Sequence, residues 1–272
     1  MKVAGPLVLM MALLGASAGT PDGKLGPEIL RGAFDNLYGY DLQMVLVLEL
    51  RSEGGETSTR KTEVARKQIE GLTHSFGHFL EPPWMRGTRM LLVDNTDRSD
   101  DVFLFLPEND RIRRLNSVQR QDYFLGSDFW YEDLERRNVE DYRVTATSSD
   151  VHEGRDVHVV DAEPVHETTA YARVRFVVDR ENLVMRRILF YRKGSVNPLR
   201  EILFDRASIL EEAGFRIPTR LIVTNHLRRT TTVALFDQLK VNPELSDSLF
   251  RSTALLTKRR IPGLTDGAEK DE

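Results

Sequence analysis

Six histidines are the first residues that could do chemistry: His74, His78, His152, His158, His166 and His226. His74 and His78 stand four apart in an alternating stretch, so they share one face of a strand. A zinc site needs several converging ligands, but the chain has no cysteine and no HExxH helix. These histidines therefore read as exposed strand residues, with no metal. The run Asp94-Asn95-Thr96-Asp97-Arg98-Ser99-Asp100-Asp101 offers carboxylates for calcium. An EF-hand loop alternates its acids and needs a central glycine and a closing glutamate. This run has neither the spacing nor the glycine, and reads as a polar connection between strands in which Arg98 pairs locally. No G-x-S-x-G elbow and no Walker or Rossmann glycine pattern occurs, and Gly126-Ser127-Asp128 reads as a helix cap. A hydrolase acting on a lipid or glycan would need histidines or carboxylates converging in a cleft. The sequence nominates no such pair, so it assigns no catalytic residue and no cofactor, and the chain is not read as an enzyme.

Basic residues gather at Arg111, Arg113, Arg114 and Arg120, at Arg228-Arg229 and at Lys258-Arg259-Arg260. Such clusters usually belong to solvated strand faces and turn ends. The functional reading is docking to an acidic membrane surface or a partner protein, with Arg111, Arg113 and Arg114 as the candidates. The whole chain carries 38 basic and 42 acidic residues among 272, a net charge of -4. That balance argues against a dedicated nucleic-acid binder. Hydrophobic residues at 40% are enough for a packed core.

The elements that position these groups begin after a leader. Lys2, the apolar run Leu7 to Leu14 and Ala16-Ser17-Ala18 have the order of a cleaved secretory signal over residues 1–18. The apolar run is too short for a spanning helix. Without a cysteine there is neither a disulfide nor a lipobox, and no later segment reads as a membrane helix. The expectation is a periplasmic protein that is not lipid-anchored. Pro27 followed by Ile29, Leu30, Ala33, Phe34 and Leu37 predicts an amphipathic helix ending at Gly39. In 40–50 every even position is apolar, which predicts a strand. Strands are further predicted at 60–70, 73–80, 88–94, 101–106, 111–116, 141–149, 155–163, 171–179, 183–192, 199–206, 218–229 and 231–241. In 171–179 the alternation puts Val174 and Phe176 on one face and Arg173 and Arg175 on the other. A dozen strands with short connections indicate an antiparallel meander, mainly β with a few helices. It either closes into a barrel or stays open under a cover. Residues 117–138 break the rhythm and hold the most aromatic stretch, and a short helix is predicted at Leu245 to Phe250 with Ser246 as its cap.

The block from Glu81 to Glu135 carries Pro82-Pro83, Arg86-Gly87-Thr88, Asp97-Arg98-Ser99-Asp100-Asp101, Leu106-Pro107, Arg111 to Leu115, Phe124-Leu125-Gly126-Ser127-Asp128-Phe129 and Tyr131-Glu132-Asp133-Leu134. Further on stand Arg216-Ile217-Pro218, Arg229-Thr230-Thr231-Thr232 and Val241-Asn242-Pro243. With these the chain resembles the LolA-like outer-membrane lipoprotein-sorting family, and more narrowly the branch found beside RND/MMPL-type exporters. The resemblance implies a single unclosed antiparallel β-barrel over residues 19–264, a helical lid above a hydrophobic cavity, and a polar tail at 265–272. It also implies an acylated lipoprotein or lipid as cargo. The implied partner is an RND/MMPL-type inner-membrane transporter or an outer-membrane receptor. The cavity candidates are Leu42, Met44, Leu46, Leu48, Phe103, Phe105, Val174 and Phe176. The lid or rim candidates are Trp84, Phe124, Phe129, Trp130 and Tyr131. The function expected is a periplasmic carrier that binds acyl chains and hands them on. The rival is a β-rich adaptor of an RND-type exporter with a filled core and no cargo.

Overall fold

The computed structural model describes residues 25–95, 100–115, 121–165, 169–257 and 260–265. The predicted leader at 1–18, Arg98, Arg120, His166, Lys258-Arg259 and the chain beyond Thr265 lie outside the described residues. The chain opens with α1 (Leu25–Tyr38), then β1 (Leu42–Arg51), β2 (Thr57–Ile69), β3 (Leu72–Glu81), β4 (Arg89–Asp94), β5 (Asp101–Leu106) and β6 (Arg111–Leu115). After an irregular segment come β7 (Tyr142–His152), β8 (Arg155–Pro164), β9 (Arg173–Asp179), β10 (Met185–Tyr191) and β11 (Arg200–Phe204). The hairpin β12 (Ile209–Glu212) and β13 (Phe215–Pro218) precedes β14 (Arg220–Asn225) and β15 (Thr230–Val241).

All strands except the hairpin join one 13-stranded sheet ordered β6-β5-β4-β3-β2-β1-β15-β14-β11-β10-β9-β8-β7. Every pairing is antiparallel, and β6 and β7 are free edges, so the barrel is not closed. The chain lays down one half as a meander from β1 to β6 and the other from β7 onward. Pairing of β1 with β15 joins the halves. There Gln43 faces Lys240 while Val45 faces Asp237, so β15 carries an extra residue opposite Met44. This is a bulge, and Gln238 takes a left-handed φ of 50° within it.

The inner face of the sheet is apolar because inward positions alternate along each strand. Leu48, Phe79, Met90, Leu92, Val160, Phe176, Ile188 and Phe190 share one buried cluster there. α1 covers one half of this face with Ile29, Leu30, Ala33 and Phe34. Phe34 meets Phe176 edge-on at 5.6 Å between ring centres. Gly26 permits the close approach, since a Cβ there would stand 2.5 Å from Thr147 Oγ1 on β7.

The outer face is covered too, on the half formed by β1–β6. Val45, Ala65, Phe76, Leu91 and Phe105 are buried beneath Leu245, Phe250, Leu255, Ile261 and Leu264 of the C-terminal strap. Buried Glu63 fastens that strap, accepting from His78 Nδ1 (3.2 Å) and Arg260 Nε (2.7 Å). The predicted helix at 245–250 is a short 3-10 turn over Asp247–Phe250, with Ser246 as cap. On the other half the outer face is charged. Asp161 holds Arg173 Nη1 (2.9 Å) and Arg175 Nη2 (2.8 Å), and Arg187 pairs with Glu201.

Candidate functional site

An apolar cavity of about 200 Å³ lies between β1 and the irregular cover. Its floor is the even row of β1: Leu42, Met44, Leu46 and Leu48. Ile188, Ile202, Phe204, Ala234 and Phe236 extend the lining across β10, β11 and β15. One end is closed by Leu37, Tyr38 and Tyr40 at the end of α1, and the top by Phe124, Phe129 and Leu134. The row alternates inward because a strand turns successive side chains to opposite faces. The bulge opposite Met44 bends β15 alongside this floor.

A larger cleft of about 530 Å³ lies beyond the far end of the same strand. It is lined by polar groups: Arg51, Ser52, Glu56, Arg60, Asp128, Arg228 and Thr230 among them. Size alone would favour this cleft, but an apolar ligand gains nothing from a hydrated polar wall. The smaller cavity is therefore the candidate site. Gly126 and Asp128 line the cleft while Phe124 and Phe129 line the cavity, so a single loop is the partition between them.

That loop holds itself together and is tied down by charge. Tyr123 bridges Trp130, and the Phe124 N–H donates to the Phe129 carbonyl at 2.7 Å. Ser127 Oγ donates to the Phe124 carbonyl at 2.6 Å. Asp128 accepts from Thr230 Oγ1 (2.5 Å) and Thr232 Oγ1 (2.9 Å) of β15. Arg200 enters from β11 with its side chain fully buried. It donates to the Asp128 carbonyl, to the Tyr171 hydroxyl and to Asp133 Oδ2 at 2.7 Å. The Trp130 ring lies over its guanidinium, 4.3 Å from ring centre. The other carboxylate oxygen, Oδ1, accepts from Arg137 Nη2 at 3.0 Å. Burial works against the charge of both arginines. Asp133 and Tyr171 beside Arg200, and Tyr142, Tyr38 and Asp133 beside Arg137, outweigh it and hold both guanidiniums above their ordinary values.

The structure redistributes the sequence candidates. Leu42, Met44, Leu46, Leu48, Phe124 and Phe129 meet at the cavity. Phe103 and Phe105 do not: they face outward into the cluster under the C-terminal strap. Both faces of β5 are covered, so its unbroken apolar run could not show which residues turn inward; Val102 and Leu104 do. Val174 and Phe176 face inward, but α1 fills the space over them. Trp130 is buried against Arg200 and stacks on Tyr171 at 5.0 Å, behind the cavity wall. Tyr131 packs on Phe124 at 5.4 Å and is only half-buried. Trp84 is 68% exposed beside Arg60 of the polar cleft and is not a rim residue of the cavity. Gly126-Ser127-Asp128 caps no α-helix. The cover is irregular chain with short 3-10 turns at Phe124–Gly126 and Tyr131–Asp133.

Arg111 and Arg113 are exposed on the edge strand β6, and Arg114 there pairs with Asp101. The other basic clusters are committed elsewhere. Arg228 stacks on Tyr123 at 4.3 Å, Arg229 donates to Glu53 and Arg260 holds Glu63. None of the described histidines lines the cavity. Among the described residues no three His, Asp or Glu side chains gather as metal ligands. Sequence reasoning missed Arg66, Asp133, Arg137 and Arg200. The available signal was parity, since Arg200 falls on the inward side with Ile202 and Phe204.

A family model described as that of an uncharacterized protein matches residues 71–257. The chain belongs to this family, DUF1329. A DUF1329 family protein from Desulfovibrio piger superposes with a TM-score of 0.80 at 23% identity, covering 87% of this chain and 100% of that one. A candidate outer membrane lipoprotein-sorting protein domain from Vibrio parahaemolyticus gives 0.79 at 24% identity, with the same coverage. A LolA superfamily protein from Nitrosomonas europaea gives 0.66 at 21%, covering 84% of this chain and 98% of that one. No curated protein matches the sequence. The DUF1329 chain therefore has a LolA-like fold, as the sequence resemblance implied.

Two outcomes follow for the cover. Arg200→Met leaves Asp133 with one buried arginine, Arg137, and should cost about 3–5 kcal/mol in urea unfolding. Arg200→Lys should not restore it, because an ammonium cannot reach three acceptors in one plane; stability unchanged in Arg200→Met would contradict the clamp. The second concerns Asp94, whose Oδ2 accepts the Arg136 N–H at 3.0 Å. Burial, then Asp100 and Asp141, push its carboxyl from 3.8 up to about 7 against the opposing pull of Arg136. Between about pH 4 and pH 7 the folded state thus holds a proton that the unfolded chain has released, and stability falls as pH rises through that window. Asp94→Asn should flatten this fall, and an undiminished slope in the variant assigns it to another group.

Proposed function

We propose that this chain is a periplasmic carrier of acyl chains, working by binding and hand-off rather than by bond-making. The observation that carries the reading is the even row Leu42, Met44, Leu46 and Leu48, an apolar floor left unfilled beneath a separately anchored cover. Each methylene buried there gains about 0.8 kcal/mol. About ten of them give ~8 kcal/mol before the ~4–15 kcal/mol lost on association. A useful affinity thus needs most of a chain inside. The cavity, at about 200 Å³, is smaller than the ~300 Å³ at which ligand pockets usually begin. A long chain therefore requires the 124–129 loop to move aside, joining the cavity to the cleft on its far side. The leader at 1–18 supports export, and no described helix is long and apolar enough to cross a membrane. The cargo in this reading is a lipid or acylated lipoprotein. The receiving partner is an outer-membrane receptor or an RND/MMPL-type transporter, with Arg111, Arg113 and Arg114 on the β6 edge as the docking residues.

The small volume also favours a second reading, an adaptor without cargo. Native mass spectrometry of protein isolated from a periplasm, followed by lipid extraction, separates the two. A co-purifying acyl lipid is the expected result. A clean apo mass, together with no uptake of a fluorescent fatty acid, would leave the adaptor.

A further inference from the structure

The charges along the cavity do not balance. Two guanidiniums, Arg66 and Arg137, and one carboxylate, Asp133, stand in its lining. Asp133 serves Arg137 and is shared with Arg200 behind it. Arg66 has no carboxylate in ion-pair reach among the described residues. It sits on the inward side of β2, directly across from Leu42. Its Nη2 donates to the Leu37 and Tyr40 carbonyls, both at 3.1 Å, and its Nε is closed off from solvent with no acceptor. The rings of Tyr38 and Tyr40 lie 5.6 and 5.0 Å from the guanidinium carbon. Burial lowers the pKa of Arg66, with the two tyrosines pulling the other way.

The bland account is that Arg66 caps α1, whose last carbonyls need donors. That accounts for Nη2 alone. A helix C-terminus supplies roughly half a negative charge, less than the full charge of the guanidinium. What the cap leaves over is the rest of that charge, standing in an apolar lining with no carboxylate to meet it.

We infer that the cavity takes an anionic amphiphile, its chain lying on Leu42, Met44 and Leu46 and its terminal oxyanion bound by Arg66 beside the Tyr40 hydroxyl. This rests on the carrier reading and narrows its cargo. With Nη2 engaged by the two carbonyls, a carboxylate or a phosphate monoester is met by the remaining nitrogen, Nη1, in a charge-assisted contact. A neutral head in the same place leaves the charge unmatched.

The test uses the whole chain and four ligands of equal chain length: dodecanoate, dodecyl phosphate, methyl dodecanoate and dodecanol. Their affinities are measured by displacement of a fluorescent apolar probe at a pH where both anions are ionised. The wild-type protein should bind the anions at least tenfold more tightly than the neutral pair, and the tighter anion identifies the source of the head group. In Arg66→Met the ratio of anion to neutral affinity should fall towards one, with Arg66→Lys in between. Equal affinity of the wild type for charged and neutral ligands would overturn the inference and leave the carrier standing. Binding of none of the four would overturn both. The wild-type ratio decides even where Arg66→Met fails to fold.

Discussion

An antiparallel sheet that does not close must have its apolar face covered by something else. That constraint organises this molecule. The 13 strands leave β6 and β7 unpaired on their outer sides, so no ring of strands seals the inner face. α1 seals one half by packing Phe34 and Leu30 into it. The irregular segment before β7 covers more of it, and hairpin β12–β13 packs Phe215 and Ile217 on Tyr40, Leu42 and Met44. Where these covers meet, at the end of α1 and under Phe124 and Phe129, the seal is incomplete and the cavity remains. The cavity is thus the seam between covers laid over one floor.

α1 and the irregular loop are held in different ways. α1 is held by burial of large side chains, each fully buried one contributing roughly 1.5–3 kcal/mol. The loop adds to the burial of Phe124, Phe129 and Trp130 a set of directed polar contacts: Asp128 on Thr230 and Thr232, and Asp133 between Arg137 and Arg200. A buried pair adds little net stability relative to an apolar replacement, but losing one partner is expensive.

Much of this was legible in the sequence because strands write their faces with a period of two. The alternation in 40–50 located the floor, and that in 171–179 located the buried side of β9. β5 defeated the same rule, since the C-terminal strap buries Phe105 on the outside while Val102 is buried inside. Hairpin β12–β13 was missed because each strand has only four residues, too few for a period to show. The cover was flagged by its aromatics but mistaken for helix, because its order comes from distant partners. Arg200 lies 67 residues from Asp133, and Thr232 lies 104 from Asp128. No local pattern encodes such a contact. The charged groups of the cavity were missed for a related reason: an arginine in a strand reads as surface until its inward neighbours are known.

The central claim is that an acyl chain lies on the floor built by β1. Photolabelling with a fatty acid carrying a diazirine in its chain, followed by peptide mapping, tests this most directly. Adducts are expected on the peptides bearing Met44, Leu46 and Phe129, suppressed by excess unlabelled fatty acid. Adducts confined to the C-terminal strap, around Leu249 and Thr253, would place the chain on the opposite face of the sheet and contradict it.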